Sequence, residues 1–202
     1  MTAMDVPPIT STRLDMVWMS PAFLEAALAG RHAEAEAMIG GTLPSWWPDE
    51  TYWLTRRLEE MQTDPAVGPW LMRAMRRRSD GVVVGNISFH GPPDDQGRAE
   101  LGYTVFEAYR RQGYASEAAL ALMSWAREQH GIRRFVVSIS PANEPSLAMA
   151  AKLGFLRTGT QMDDIDGEEY VFELDFAGGV PISGPPGGAR ASLPGGREHP
   201  RL

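Results

Sequence analysis

Between an alternating apolar run over residues 99–106 and a helical spacing that begins near Gly113 stands the loop Arg110-Arg111-Gln112-Gly113-Tyr114-Ala115-Ser116. A loop that opens directly into a helix presents free N–H groups and the positive end of the helix dipole, so it favours an anion. Gly113 and Ala115 carry little or no side chain and would let a phosphate approach the backbone. Two rival phosphate motifs are missing: there is no G-x-G-x-x-G, and the one lysine, Lys152, lies outside any Gly-Lys-Ser/Thr sequence. Taken alone, the segment reads either as a pyrophosphate cradle or as an ordinary strand-to-helix turn with basic decoration.

About thirty residues later comes Ser140-Pro141-Ala142-Asn143-Glu144-Pro145-Ser146, followed after six residues by Leu153-Gly154-Phe155. Asn143 and Pro145 suit the start of a short helix and Gly154 its end. The chain has no cysteine, which excludes a cysteine nucleophile, a disulfide framework and Cys-ligated metal sites, and agrees with a reducing, cytoplasmic setting.

The two segments together resemble the GCN5-related N-acetyltransferase (GNAT) family. Its R/Q-x-x-G-x-G/A signature is met by Arg110, Gly113 and Ala115, and its N-x-x-[S/A]-x5-K-L-G-F segment by Asn143, Ser146, Lys152, Leu153, Gly154 and Phe155. Ser11-Thr12-Arg13-Leu14 and Glu100-Leu101-Gly102-Tyr103 are similar to the branch that holds the ribosomal-protein N-terminal acetyltransferases (RimJ/RimL-like). The resemblance runs from Thr12 to Leu174.

This resemblance implies acetyl-CoA as co-substrate and no metal. It implies that the strand edge at Tyr103, Thr104 and Val105 bonds the pantetheine arm. Arg110 and the backbone N–H groups of Arg111, Gln112, Gly113, Tyr114, Ala115 and Ser116 would hold the pyrophosphate, and Asn143 would bond the pantetheine from the far side of a split between two strands. Transfer to an amine needs a base for the ammonium proton, because only the free amine attacks the thioester. Glu100 is the expected base, with His90 in reserve; His32, His130 and His199 lie in less suitable places. A strand N–H near Val105 would receive the oxyanion. The family's usual thiolate acid is a Tyr four residues after Ser146, and here that position is Ala150. Ser146 would orient the sulfur.

The leading expectation is an N-acetyltransferase acting on a primary amine in a ternary complex. The alternative is a CoA-binding regulatory module of the same fold with weak turnover, to which the missing Tyr lends weight. A dinucleotide-binding oxidoreductase is disfavoured by the absent glycine fingerprint. A peptide N-terminus, an antibiotic amine and a small metabolite remain open as acceptors, and sheet-edge homodimers are common in the family. A net charge of −7 argues against sequence-independent nucleic-acid binding. The longest strongly apolar stretch, Ala118 to Met123, is far short of a membrane helix.

The elements that must place these residues alternate in type. Strands are expected over 13–19, 70–77, 82–90, 99–106, 135–140, 155–162 and 169–176, with Ser79-Asp80-Gly81 as a hairpin turn. Helices are expected from a Ser20-Pro21 cap to Ala29, over 33–39, over 50–61 behind an Asp49 cap, over 113–130 and over 143–153. The fold class is α+β: a mixed, mostly antiparallel twisted sheet, split at a V-shaped cofactor cleft and flanked by helices. Trp46, Trp47, Tyr52 and Trp53 fall in the early helical region and read as core or lid packing. Arg76-Arg77-Arg78 reads as a solvated edge, and Asp163 to Glu169 as an acidic hairpin. Residues 1–10 are expected to be a flexible N-terminus and 11–176 the acetyltransferase domain. Residues 177–202 hold seven Gly and five Pro, too little apolar surface to offset ordering, and read as a disordered tail.

Overall fold

The computed structural model describes residues 6–47, 51–163 and 167–176. The expected tail and the Asp49 cap lie outside the described residues. The fold is one 8-stranded sheet in the order β1-β2-β3-β4-β5-β6-β8-β7. Strands β1 (Ile9–Thr10), β2 (Leu14–Trp18), β3 (Arg73–Arg77), β4 (Val83–Phe89) and β5 (Arg98–Val105) pair antiparallel in turn. β5 then pairs parallel with β6 (Arg134–Ile139), and β8 (Gly167–Asp175) lies between β6 and β7 (Leu156–Asp163).

Local chemistry sets the helix ends. Ser20 Oγ accepts from the Phe23 N–H at 3.2 Å and Pro21 fills the first position of α1 (Pro21–Leu28). Helices α2 (His32–Ile39) and α3 (Tyr52–Thr63) follow. α4 (Tyr114–His130) opens on Gly113 and closes on Gly131, both left-handed. Asn143 Oδ1 accepts from the Ser146 N–H at 3.2 Å to cap α5 (Glu144–Leu153), which Gly154 ends at φ 86°.

Two cores lie on opposite faces of the sheet. One gathers Leu14, Met16, Met75, Ile87, Phe89, Leu101 and Phe135 under the inner faces of α4 and α5. The other gathers Met72, Ala74 and Val83 under α1, α2 and α3.

Three expectations change. Residues 70–72 are not strand: Pro65–Trp70 is a 3-10 turn, capped by Asp64, because two prolines in PAVGPW remove strand hydrogen bonds. Ile9 and Thr10 pair with Met16 and Asp15 as β1, and Ile9 is buried, where a flexible end was expected. Arg76, Arg77 and Arg78 do not form a solvated edge. β3 is an interior strand, and the three guanidiniums reach Asp15, Asp80 and the carbonyls of Ile39, Gly40 and Ser11.

Candidate active site

β5 and β6 share three register pairs, the last being Glu100 with Val136, and then part. Beyond that point β5 runs to Val105 and β6 to Ile139 with no pairing between them. The parting leaves one edge of β5 open. Hydrogen bonds from His90 N to Glu100 O and from Phe106 N to Val84 O fix which residues face β4. With Asn86 opposite Thr104, the antiparallel ladder assigns the backbone of Glu100, Gly102 and Thr104 to β4. Tyr103 and Val105 therefore turn their N–H and C=O groups toward the split. Thr104 does not, which corrects the expectation that all three present a strand edge; its exposed side chain lines the cleft instead.

Side chains alternate in the same way. Ala99 and Leu101 are buried in the α4 core and Tyr103 packs against it. Glu100, Gly102 and Thr104 face the other side, next to Asn86, Ser88 and His90 of β4 and its end, and line a cleft of about 1300 Å³. Trp46 and Trp53 also line it. Trp46 is 48% exposed and meets Phe106 edge-on at 4.8 Å, whereas Trp47 is buried against Phe23. Tyr52 is exposed and lies away from the cleft lining.

Glu100 sits at the fork. Its Oε1 accepts from Ser138 Oγ at 2.6 Å and lies 3.7 Å from His90 Nδ1. Oε2 has no protein partner among the described residues. The expected base and its reserve thus occupy one spot. A second cavity of about 530 Å³, toward the β7–β8 hairpin, meets the first at these two residues and at Gln161. The His90 ring lies across Gly102, where a Cβ would stand 2.7 Å from Nε2. Burial, which disfavours the charged ring, pushes His90 below its usual 6.5; Glu100 pulls upward, and Arg57 and Arg56 add to the depression. His90 is therefore neutral at neutral pH. His130 is elsewhere, between Trp70 and Trp125.

The loop before α4 bends sharply. Arg111 has φ 60°, the one positive value at a non-glycine among the described residues, and Gly113 has φ 82°. The N–H groups of Arg111, Gln112 and Gly113 meet no protein acceptor among the described residues, and those of Tyr114, Ala115 and Ser116 belong to the first turn of α4, which has no intrahelical partner. The ring of Tyr114 is buried, so only its backbone is available here. Arg110 bends back, its Nε donating to Val105 O at 3.0 Å.

Arg13 was missed as a site residue. Its Nη1 donates to Gln112 O at 3.0 Å, its Nε pairs with Glu117 at 2.6 Å, and its guanidinium covers the Tyr114 ring at 4.6 Å. Glu117 also accepts from the Arg13 N–H and from Ser11 Oγ. The β1–β2 turn thereby braces the anion loop and adds a cation beside it.

Across the split, Tyr103 Oη donates to Ser146 Oγ at 2.9 Å. Asn143 is exposed and serves as the α5 cap. Ala150 is buried in the core and offers no acid.

A model of the acetyltransferase (GNAT) domain matches residues 13–156. The chain belongs to the GNAT family. Among its relatives, YjdG of Bacillus subtilis, an uncharacterized N-acetyltransferase, is 35% identical over 80 residues, 40% of this chain and 48% of that protein. The ribosomal-protein-serine acetyltransferase of Escherichia coli is 32% identical over 77 residues, 38% of this chain and 43% of that protein. The chain thus matches less than half the length of these curated relatives. The structure of RimL, the ribosomal L7/L12 alpha-N-protein acetyltransferase in complex with coenzyme A, superposes with a TM-score of 0.58 at 19% identity, covering 83% of this chain and 97% of RimL. The mixed, mostly antiparallel sheet with flanking helices agrees with this family. Among the described residues, no helix is long and apolar enough to cross a membrane.

The residues present fit acetyl-CoA as co-substrate. A strand edge open at Tyr103 and at the Val105 N–H suits an amide-bearing arm, and the N–H groups before α4 that meet no protein acceptor, beside the Arg13 guanidinium, suit a pyrophosphate.

Proposed function

We propose that the protein is an acetyl-CoA-dependent N-acetyltransferase that moves the acetyl group directly to a primary amine. The observation that supports this reading best is Glu100 at the fork, its carboxylate held by Ser138 and lining the cleft. On this reading the N–H groups of Arg111 to Ser116 hold the pyrophosphate, with Arg13 and Arg110 adding positive charge. The edge of Tyr103 and Val105 orients the pantetheine arm, and the Val105 N–H is aimed where the oxyanion develops. The acetyl group then lies between the two faces of the sheet. Glu100 takes a proton from the acceptor ammonium on its own face, and the free amine attacks the thioester carbonyl.

The cleft supports an amine on a partly apolar body: Trp46, Trp53 and Phe106 line one wall, and Glu100, Asp163 and Glu169 contribute carboxylates. A peptide N-terminus meets that description, and the similar structure of RimL is that of an alpha-N-protein acetyltransferase. A cytoplasmic setting belongs to the same proposal, supported by the cysteine-free sequence. A second reading, CoA binding with weak turnover, draws on Ala150 at the usual acid position. Thiol release from acetyl-CoA, measured with a panel of N-terminal peptides, aminoglycosides and small amines, tests both. Release that requires one amine class supports transfer. CoA binding without release under any acceptor supports the regulatory module.

A further inference from the structure

We propose that Tyr103 and Ser146 form a proton relay to the departing thiolate, replacing the acid that Ala150 cannot supply. The inference rests on the acetyl-transfer reading above.

Four observations converge. Tyr103 packs against the core on the α4 and α5 side of the sheet, Glu100 lies on the opposite face of β5, and both line the cleft, so the two ends of the reaction have separate groups within one space. The Tyr103 hydroxyl reaches from β5 to the first turn of α5 and donates to Ser146 Oγ at 2.9 Å, spanning the space between the parted strands. The Ser146 backbone is held by the Asn143 side chain at 3.2 Å, which fixes the hydroxyl position. One turn later on α5 the family's acid position is Ala150, which is buried and carries no acidic group.

The chemistry balances. As the C–S bond breaks, its electron pair goes to sulfur. The Ser146 hydroxyl proton moves to sulfur, and the Tyr103 phenol proton moves to Ser146. The phenolate then takes a proton from solvent, while the proton removed by Glu100 is released to solvent. Serine alone is a poor donor, because its alkoxide is too basic; the phenol behind it removes that obstacle. A phenol near 10 gives its proton to a thiolate near 8.5 only against a gradient of about 1.5 units in water. Desolvation of the thiolate between the strands raises its basicity and narrows that gap. Burial also raises Tyr103, against a lowering by its bond to Ser146, which keeps the phenol protonated at neutral pH and offsets part of that narrowing.

The test compares wild type with Tyr103→Phe, which keeps the ring and removes the donor. The first readout is binding chemistry: CoA is bound and its thiol titrated by the ultraviolet absorbance of the thiolate. The wild-type complex is expected to ionise about one pH unit lower than the Tyr103→Phe complex. The second is the single-turnover rate of acetyl transfer, expected to fall about 100-fold, with acetyl-CoA affinity little changed. The third is Tyr103→Phe/Ser146→Ala, expected to be no slower than the slower single variant, since both act in one relay. If Tyr103→Phe melts early, Ser146→Ala is read in its place by the same titration. An unmoved titration or an unmoved single-turnover rate overturns the relay while leaving acetyl transfer standing. A wild type that fails to bind CoA overturns the transfer reading and the relay together.

Discussion

Ser138 Oγ donates to Glu100 Oε1 at 2.6 Å, crossing from β6 to β5 two residues beyond the last pair that the strands share. That single bond divides the work of the carboxylate. Oε1 is tied to the sheet and lies 3.7 Å from His90 Nδ1, and the hydrogen bonds among the described residues leave Oε2 without a protein partner. The carboxylate is oriented by the strand it does not belong to, so its aim depends on how the fork opens.

Replacing Glu100 with Gln keeps the shape and removes the base. The rate at neutral pH is expected to fall about 10²- to 10⁴-fold. Raising the pH toward the acceptor's own pKa supplies free amine and should restore part of the loss. The measurement is kcat/KM against pH for both proteins; a wild-type rate at neutral pH in Glu100→Gln transfers the base role to His90 or to water.

Gly102 is expected to matter through His90. An added Cβ would stand 2.7 Å from Nε2, but it meets the end of a rotatable side chain, so the fold is retained and the ring swings away. Gly102→Ala should cost less than about 1 kcal/mol in stability and lower kcat/KM by roughly tenfold, the value of one displaced polar contact. In a His90→Ala background the same change should do nothing further. Independent losses would show that Gly102 serves something other than seating the imidazole.

The anion loop is tested at Gly113, whose φ of 82° a β-branched residue adopts only under strain. Gly113→Val is expected to weaken acetyl-CoA by about 10- to 100-fold, the loss of one or two charge-assisted bonds. Calorimetric titration of the folded variant decides it, and an unchanged affinity would remove the loop from the cofactor site.

Glu117 links pH to the same loop. Its burial favours the neutral form, but the N–H and guanidinium of Arg13 and the Ser11 hydroxyl outweigh that and hold the carboxyl below its usual 4.5. A lowered folded pKa gives stability that is present above the unfolded value and lost as pH falls through the folded one. Glu117→Gln should therefore lower the melting temperature by about 3–6 °C at neutral pH, for roughly 1–2 kcal/mol of charged hydrogen bonds. The difference from wild type should shrink below about pH 4.5. A constant difference across that range would mean that the carboxylate charge contributes nothing.

What the sequence made legible was local. Ser20-Pro21, Asn143 with Pro145, and Gly154 carry their meaning within three or four residues, and the structure places each at the helix end expected of it. The Gly113 loop was readable for the same reason. Relations set by register were not. Whether Thr104 or its neighbours face the split depends on Asn86, eighteen residues earlier, and no local pattern encodes that pairing. Arg13 reaches Glu117 across 104 residues, so a basic residue in an early turn gave no sign that it braces the loop before α4. The arginine run at 76–78 misled because charge alone suggests solvent, whereas carboxylates and carbonyls of other elements were waiting for it. At Trp70 the apolar content suggested a strand and the two prolines overruled it.

The sheet order places the last strand inside the sheet. β8 lies between β6 and β7, so a chain emerging from the ribosome presents β6 with a bare edge until its final strand arrives. The segments proposed to hold the anion, from the β1–β2 turn to α4, precede β8, while the β6 side of the fork, with Ser138, packs against it. A nascent chain can thus assemble half of the proposed pocket early, but the fork is complete only once β8 has been made. Truncation within the final strand would then leave a protein able to recognise one end of its co-substrate and unable to use the other.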